Sequence, residues 1–430
     1  MSSSTPHPLL IRLMAARRNP ALISVAQTLL ANLLIQGLNL ATGVITARLL
    51  QPDGRGELAA IIMWPQFLGY LCTLGVPVSL VYFIKKQPER QASHIGAAVL
   101  LSAAMSAVAM AIGVLGMPFW LKRYPVDVVH FAQWCMLATP LTLVGTTLLV
   151  PLQAREAFVE YNRLRYWVPL LVLIVLVALL ASQSLTVKSA SLAYLLAPFP
   201  VVVGTLAWVL RHARPSMVDV RAAGTRLLGY GLRVWGTDLL GTLSTQIDRL
   251  LVVALLSAHD MGLYVVAQSV SRVLGFISSA IVPVLLPKAA ARDDAQGLRL
   301  VRRAAWSGLA LMTAAALPII FFGRVALRWV YGPEFASASL LLDLLTAETV
   351  VTGVAWILSQ ALLGANRPGT LTALQGASVA LLVPLLYWSG SRFGLTGIGA
   401  ALLGAALLRL VLVIVVLGRP HRGGAVALPR

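Results

Sequence analysis

The sequence predicts an all-α integral membrane protein of about twelve transmembrane helices, set in two six-helix lobes related by a pseudo-twofold axis along the membrane normal. Three observations lead there. Apolar residues make up 58% of the chain and charged residues 11%, against about a quarter charged in soluble domains. Apolar runs long enough to cross a bilayer, roughly 20 residues, recur throughout. The chain also nearly superposes on itself at an offset of 206 residues.

The runs fall at 21–47, 57–84, 95–120, 128–152, 166–182, 189–210, 226–256, 261–286, 303–322, 336–364, 368–388 and 395–418. Several exceed one bilayer thickness and must tilt or extend into the interface. A β-barrel would need alternating segments of about ten residues, and Leu170–Leu180 does not alternate. The mean hydropathy of +0.84 agrees. Connections are short; the longest, 211–225 and 287–302, are about 15 residues and leave no room for a soluble catalytic domain. Arg17 and Arg18 precede an apolar stretch longer than the usual 7–15-residue signal core, so residues 1–20 read as a short cytoplasmic tail. Cys72 and Cys135 fall inside spans and suggest neither a disulfide framework nor a metal site.

The net charge of +19 is distributed as a topology signal. With both termini cytoplasmic, the cytoplasmic segments hold 22 Lys/Arg and the opposite side eight: Arg48, Arg55, Lys122, Arg123, Lys188, Arg324, Arg328 and Arg392. Basic residues concentrate in cytoplasmic loops, with attraction to anionic membrane lipids as a by-product. Nucleic acid is not an expected partner.

The repeat divides the chain into an N-lobe, 1–215, and a C-lobe, 216–430. Leu49-Leu50 with Gly56 matches Leu255-Leu256 with Gly262, and Val76-Pro77-Val78 matches Val282-Pro283-Val284. Asn32, Gln36 and Asn39 map onto Asp238, Thr242 and Thr245, in each case one helix face at i, i+4, i+7. Six spans per half give both halves the same orientation, as in transporters with parallel repeats.

A charge inside hydrocarbon costs at least ~2.5 kcal/mol, so the eight found in the spans stand out. The bases are Arg233, Arg249, Arg272 and Arg409; the acids are Asp238, Asp248, Asp343 and Glu348. The seventh span carries a broad polar face that includes Asp238, Thr242, Thr245, Gln246, Asp248 and Arg249. One reading is a water-filled cationic cavity, in which Arg233, Arg249, Arg272, Arg409 and Arg48 hold a phosphate through guanidinium donors. The other is a set of ion pairs joining helices, since four bases can neutralise four acids. Asp248 and Arg249 point about 100° apart and need separate partners, for which Asp343 and Glu348 are candidates. Arg48 and Arg409 can also snorkel toward an interface. Gly and Pro are frequent within the spans, and Trp329, Tyr331 and Phe335 read as an interfacial aromatic belt.

No phosphate-binding glycine loop, no His-Glu-x-x-His and no acidic loop pair occurs in the sequence, and the six histidines form no cluster. Neither a metal nor a cofactor is expected, and the chain does not read as an enzyme.

Several segments resemble one family, the polysaccharide-transporter branch of the multidrug/oligosaccharidyl-lipid/polysaccharide flippase superfamily. The segment Ala47-Arg48-Leu49-Leu50-Gln51-Pro52-Asp53-Gly54-Arg55-Gly56 is similar to the family pattern Ala-Arg-x-Leu-Gly-Pro-x-x-x-Gly, with Gln51 where the family usually has Gly. The resemblance continues at Gln246-Ile247-Asp248-Arg249, at Met261–Ala267 and Pro287-Lys288, at Tyr161–Arg165 and at Val330–Phe335. It implies two six-helix lobes around a V-shaped cavity in a bacterial cytoplasmic membrane. It further implies alternating access that moves a polyprenyl-diphosphate-linked oligosaccharide to the outer leaflet, for surface or exopolysaccharide synthesis. Among site residues it carries over Arg48, Asp248 and Arg249. Compatible partners are the lipid-linked oligosaccharide, membrane lipids and a polysaccharide polymerase or export machinery, with proton or sodium as the coupling ion. A multidrug or cation antiporter of the same superfamily would rely on the carboxylates instead. A membrane polymerase or ligase would need a larger charged loop than any present.

Overall fold

The computed structural model describes residues 20–291, 294–365 and 367–418. Among these the regular structure is helical, and no strand occurs. Among the described residues, nine helices are long and apolar enough to cross a membrane. Two of them are far too long for one crossing. Pro20–Leu71 has 52 residues, which at 1.5 Å per residue span ~78 Å, more than twice a ~30 Å hydrocarbon core.

Each long run breaks at one residue. The first breaks at Gln51, before Pro52, and gives α1 (20–50) and α2 (52–71); the residue before a proline is pushed out of the helical region. The last, Pro368–Gly418, breaks at Gly394 (φ 59°) and gives α11 (368–393) and α12 (395–418). The intervening helices are α3 (Gln91–Trp120), α4 (Val126–Cys135 with Thr139–Ala154), α5 (Phe158–Ala181) and α6 (Val187–Leu196 with Pro198–His212). There follow α7 (Val220–Leu255), α8 (Ala258–Ser271 with Gly275–Ala290), α9 (Asp294–Ala326) and α10 (Ser339–Gly364). With α7, the helical segments among the described residues number twelve.

Hydropathy marks only the apolar part of a helix, and this accounts for the shifted boundaries. The run read at 166–182 belongs to a 24-residue helix that begins at Phe158, because backbone hydrogen bonding continues through the polar Tyr161–Arg165. Conversely, α2 is interrupted at 72–75 and resumes as Val76–Lys86 after Gly75, which sits at φ 70°. A Cβ on Gly75 would overlap the Gly231 carbonyl oxygen, so a side chain is excluded there on two grounds. The expected aromatic belt is a π-helical turn, Leu327–Tyr331, followed by a 3-10 turn, Pro333–Ala338.

Among the described residues the chain forms two compact units, divided as 1–50 with 57–238 and 51–56 with 239–430. In the first, Val76, Leu80 and Ile84 of α2 pack with Ile95 of α3, Leu148 of α4, Val209 of α6 and Leu227 of α7. Ser102 and Thr147 share a 2.7 Å hydrogen bond across α3 and α4, and Trp235 Nε1 donates to the Leu71 carbonyl at 3.0 Å. Between α4 and α5, the Lys85 ammonium 2.6 Å from Glu156 holds that carboxyl below its usual range. In the second unit α10 is the central helix. Its Ile357, Leu358 and Leu362 meet Val282 and Leu285 of α8, Val301 of α9, Leu374 of α11 and Val413 of α12. Large apolar side chains such as Leu115, Phe321 and Trp329 point outward at 73–75% exposure, as expected where lipid is the solvent.

Candidate functional site

A cluster of charged residues lies inside the second unit, built from α7, α8, α10, α12 and the 51–56 segment. Its centre is Asp248, buried on α7. Tyr264 and Gln268 on α8 and Arg272, at the 3-10 turn between its two pieces, follow one another at intervals of four and so share a face. That face meets the carboxylate. Tyr264 Oη donates to Asp248 Oδ2 at 2.8 Å, Gln268 Nε2 donates to the same oxygen at 2.6 Å, and Arg272 Nη2 stands 3.3 Å away. The Gln268 amide works in both directions, because its Oε1 accepts from Arg249 Nε. The two chain neighbours that cannot reach each other are thus joined through one glutamine on the next helix. Asp248 Oδ1 is buried with no hydrogen-bond partner among the described residues.

Further charges surround this centre. Arg55 and Arg272 lie within electrostatic reach of Arg249. Glu348 on α10 lies within reach of Asp248 and Arg272, and Arg409 on α12 within reach of Glu348. Glu348 accepts hydrogen bonds from Thr352 at 2.7 Å and Thr349 at 3.4 Å. Among the described residues, these pairwise interactions link four guanidinium groups to two carboxylates, an excess of two positive charges. Arg55 is the sharpest case: it is 8% exposed, and its Nε and Nη1 have no hydrogen-bond partner among the described residues. Buried donors nearly always have partners, so a buried guanidinium with two idle nitrogens points to an anion or water as its complement.

The residues expected from the sequence divide into three groups. Arg249, Arg272, Arg409, Asp248 and Glu348 come together. Arg48 and Arg233 are exposed and belong to the first unit. Arg233 stands 16 residues before Arg249 on the same helix, a separation of ~24 Å along the axis. Asp343 also stands apart, since five residues before Glu348 on a helix means ~140° of rotation. The anticipated partners Asp343 and Glu348 are thus not the groups that bond Asp248 and Arg249; Gln268, Tyr264 and Arg272 are. Asn32, Gln36 and Asn39 are half-buried to exposed on α1, and Gln246 is half-buried on α7. The side chains of Asp238, Thr242 and Thr245 lie outside the described residues.

Three members of the site escaped the sequence reading: Arg55, Tyr264 and Gln268. Tyr264 and Gln268 had a legible signal, the four-residue spacing that leads to Arg272. Arg55 had none, because it reads as a loop base between two spans and only folding buries it.

Comparison with solved structures places this architecture. The fold is similar to a lipid II flippase, MurJ, in an inward closed conformation, with a TM-score of 0.76 and 13% identity over 91% of this chain and 87% of that one. It is also similar to an inward-facing multidrug resistance MATE family transporter of the MOP superfamily, with a TM-score of 0.71 and 15% identity over 89% and 94%. A MOP superfamily transporter from Pyrococcus furiosus, described as having a binding pocket of reverse polarity, matches with a TM-score of 0.62 and 12% identity over 92% and 93%. Fold and helices together define a multi-pass membrane protein with the MOP superfamily transporter fold. No curated protein matches the sequence. The family model described as polysaccharide biosynthesis protein matches residues 22–291, and the chain belongs to that family.

Proposed function

We propose that the protein is a flippase that moves a polyprenyl-diphosphate-linked oligosaccharide from the inner to the outer leaflet by alternating access of its two six-helix lobes. Membership of the polysaccharide biosynthesis family supports the glycan, and the fold shared with a lipid II flippase supports a lipid-borne substrate. One observation carries the chemistry: the buried Arg55, with two unpartnered nitrogens, in an arginine cluster that outnumbers its acids. A diphosphate offers the acceptor oxygens such a cluster lacks, and guanidinium binds phosphate through paired donors. The substrate is amphiphilic, so its tail can remain in lipid while the headgroup crosses. In this reading the protein sits in a bacterial cytoplasmic membrane with both termini inside. It hands its substrate to a polymerase or export machinery and draws on a proton or sodium gradient.

Arg55 also supplies the test. Removing a purely structural arginine should destabilise the protein. Removing one that waits for an anion should leave stability unchanged or slightly improved, because it relieves an uncompensated buried charge. Arg55→Ala is therefore expected to accumulate normally with an unchanged thermal midpoint, and to lower glycan export roughly 10- to 100-fold, the equivalent of one charge-assisted hydrogen-bonding group. Wild-type export from a stable Arg55→Ala protein would remove the anion-site reading.

A second reading is a cation antiporter, favoured by the bare Asp248 Oδ1 and by the MATE-type fold. It predicts that Asp248→Asn abolishes dye resistance in cells overexpressing the protein while glycan export is untouched.

A further inference from the structure

The sequence repeat has a structural counterpart at one contact inside the second unit. The 51–56 segment lies against the start of α8, and the two meet through equivalent residues. A Cβ on Gly56 would overlap the carbonyl oxygen of Ala258, and a Cβ on Gly262 would overlap the carbonyl oxygen of Pro52. Gly56 and Gly262 are 206 residues apart, and so are Pro52 and Ala258. The contact is therefore isologous: one residue meets a second, and the counterpart of the second meets the counterpart of the first, as across a twofold axis.

A third pair fits the same register. Asp53 and His259, again 206 apart, face each other with Nδ1 to Oδ2 at 3.1 Å. On a twofold axis a residue faces its own copy, and two aspartates there would repel. With histidine at one of the two equivalent positions, that self-contact is a hydrogen-bonded pair.

We infer that this crossing of the 51–56 segment and the start of α8 is a latch which parts when the protein opens on that side. Three features make it a latch and not a fixed weld. The pair is exposed, 70% for Asp53 and 46% for His259, and exposed pairs bind weakly. At its two closest approaches, Gly56 to Ala258 and Gly262 to Pro52, the atoms that meet are backbone and interlock no side chain. The segment is also preceded by Gln51, held at φ 58°, a backbone position from which a small rotation re-aims the chain. The inference rests on the alternating-access reading but not on the identity of the substrate.

The experiment places cysteines at Asp53→Cys and His259→Cys in a Cys72→Ser background; Cys135 is buried and can stay. Both positions are exposed enough for replacement without damage to the core. Spin labels on the purified full chain in lipid vesicles should report two distance populations, one matching the crossing and one clearly longer. A single short population under all conditions overturns the latch and makes the crossing a permanent pivot. In cells, linking the two cysteines with a cleavable bifunctional thiol reagent should lower export at least tenfold, with recovery on cleavage. Undiminished export by fully linked protein, in cells whose export is lost when the protein is deleted, also overturns it. The distance measurement needs no substrate, so failure of the flippase reading would show in export alone and leave the distances bimodal.

Discussion

Gln51 occupies a backbone position made for glycine. Its φ of 58° and ψ of 179° lie in a region that side chains rarely adopt, and residues held there cost on the order of 1–3 kcal/mol. The usual family residue at this position is Gly, so the departure noticed in the sequence acquires a physical meaning: strain stored at the α1–α2 break. Gln51→Gly should relieve it, less the 0.5–1 kcal/mol or so of added backbone freedom in the unfolded chain. The expected result is a raised thermal midpoint in detergent, by about 1 kcal/mol of stability. A lowered midpoint would show that the contacts of the Gln51 side chain outweigh the strain. Around Asp248 the residue-scale lesson is different. One carboxylate oxygen collects a tyrosine, a glutamine and an arginine while the other has none. Such a site is half satisfied and ready for a further donor or cation.

At the scale of the element, the polarity of α7 is what assembles the cluster. Its neighbour α8 supplies three polar groups at helical spacing, and α10 and α12 add one charge each, so no single helix carries the site. The start of α8 has a separate constraint. Gly262 faces the Pro52 backbone, which cannot move aside as a side-chain tip could. Gly262→Ala should therefore cost about 1–3 kcal/mol, as overpacked sites do, and should reduce accumulation of folded protein. Gly404→Ala on α12 is the control, because a Cβ there meets nothing within 4 Å. Equal stability of the two variants would mean that the crossing yields freely.

For the whole molecule the prediction concerns sidedness. A flippase acts between two leaflets, so deletion should leave lipid-linked oligosaccharide in the cytoplasmic leaflet, where an added outer-side glycosidase or label cannot reach it. Accumulation in the outer leaflet would instead indicate a downstream defect, in polymerisation or ligation, and would count against the proposed role. The same experiment bears on topology, since the 22-to-eight bias of basic residues expects both termini on the cytoplasmic side.

The amino-acid string carries the helical class, the number of crossings and the intramembrane charges, because hydrophobic length and the cost of burying charge are properties of local sequence. It also carries the repeat, since an offset needs no coordinates. It could not say which charges meet. Arg233 and Arg249 look alike on one helix, yet ~24 Å of rise separates them, and only Arg249 finds Gln268. Arg55 reads as a loop residue and is buried with idle donors. Asp53 and His259 are 206 positions apart and become neighbours. These outcomes depend on contacts between segments distant in the chain, which packing sets and no local pattern encodes.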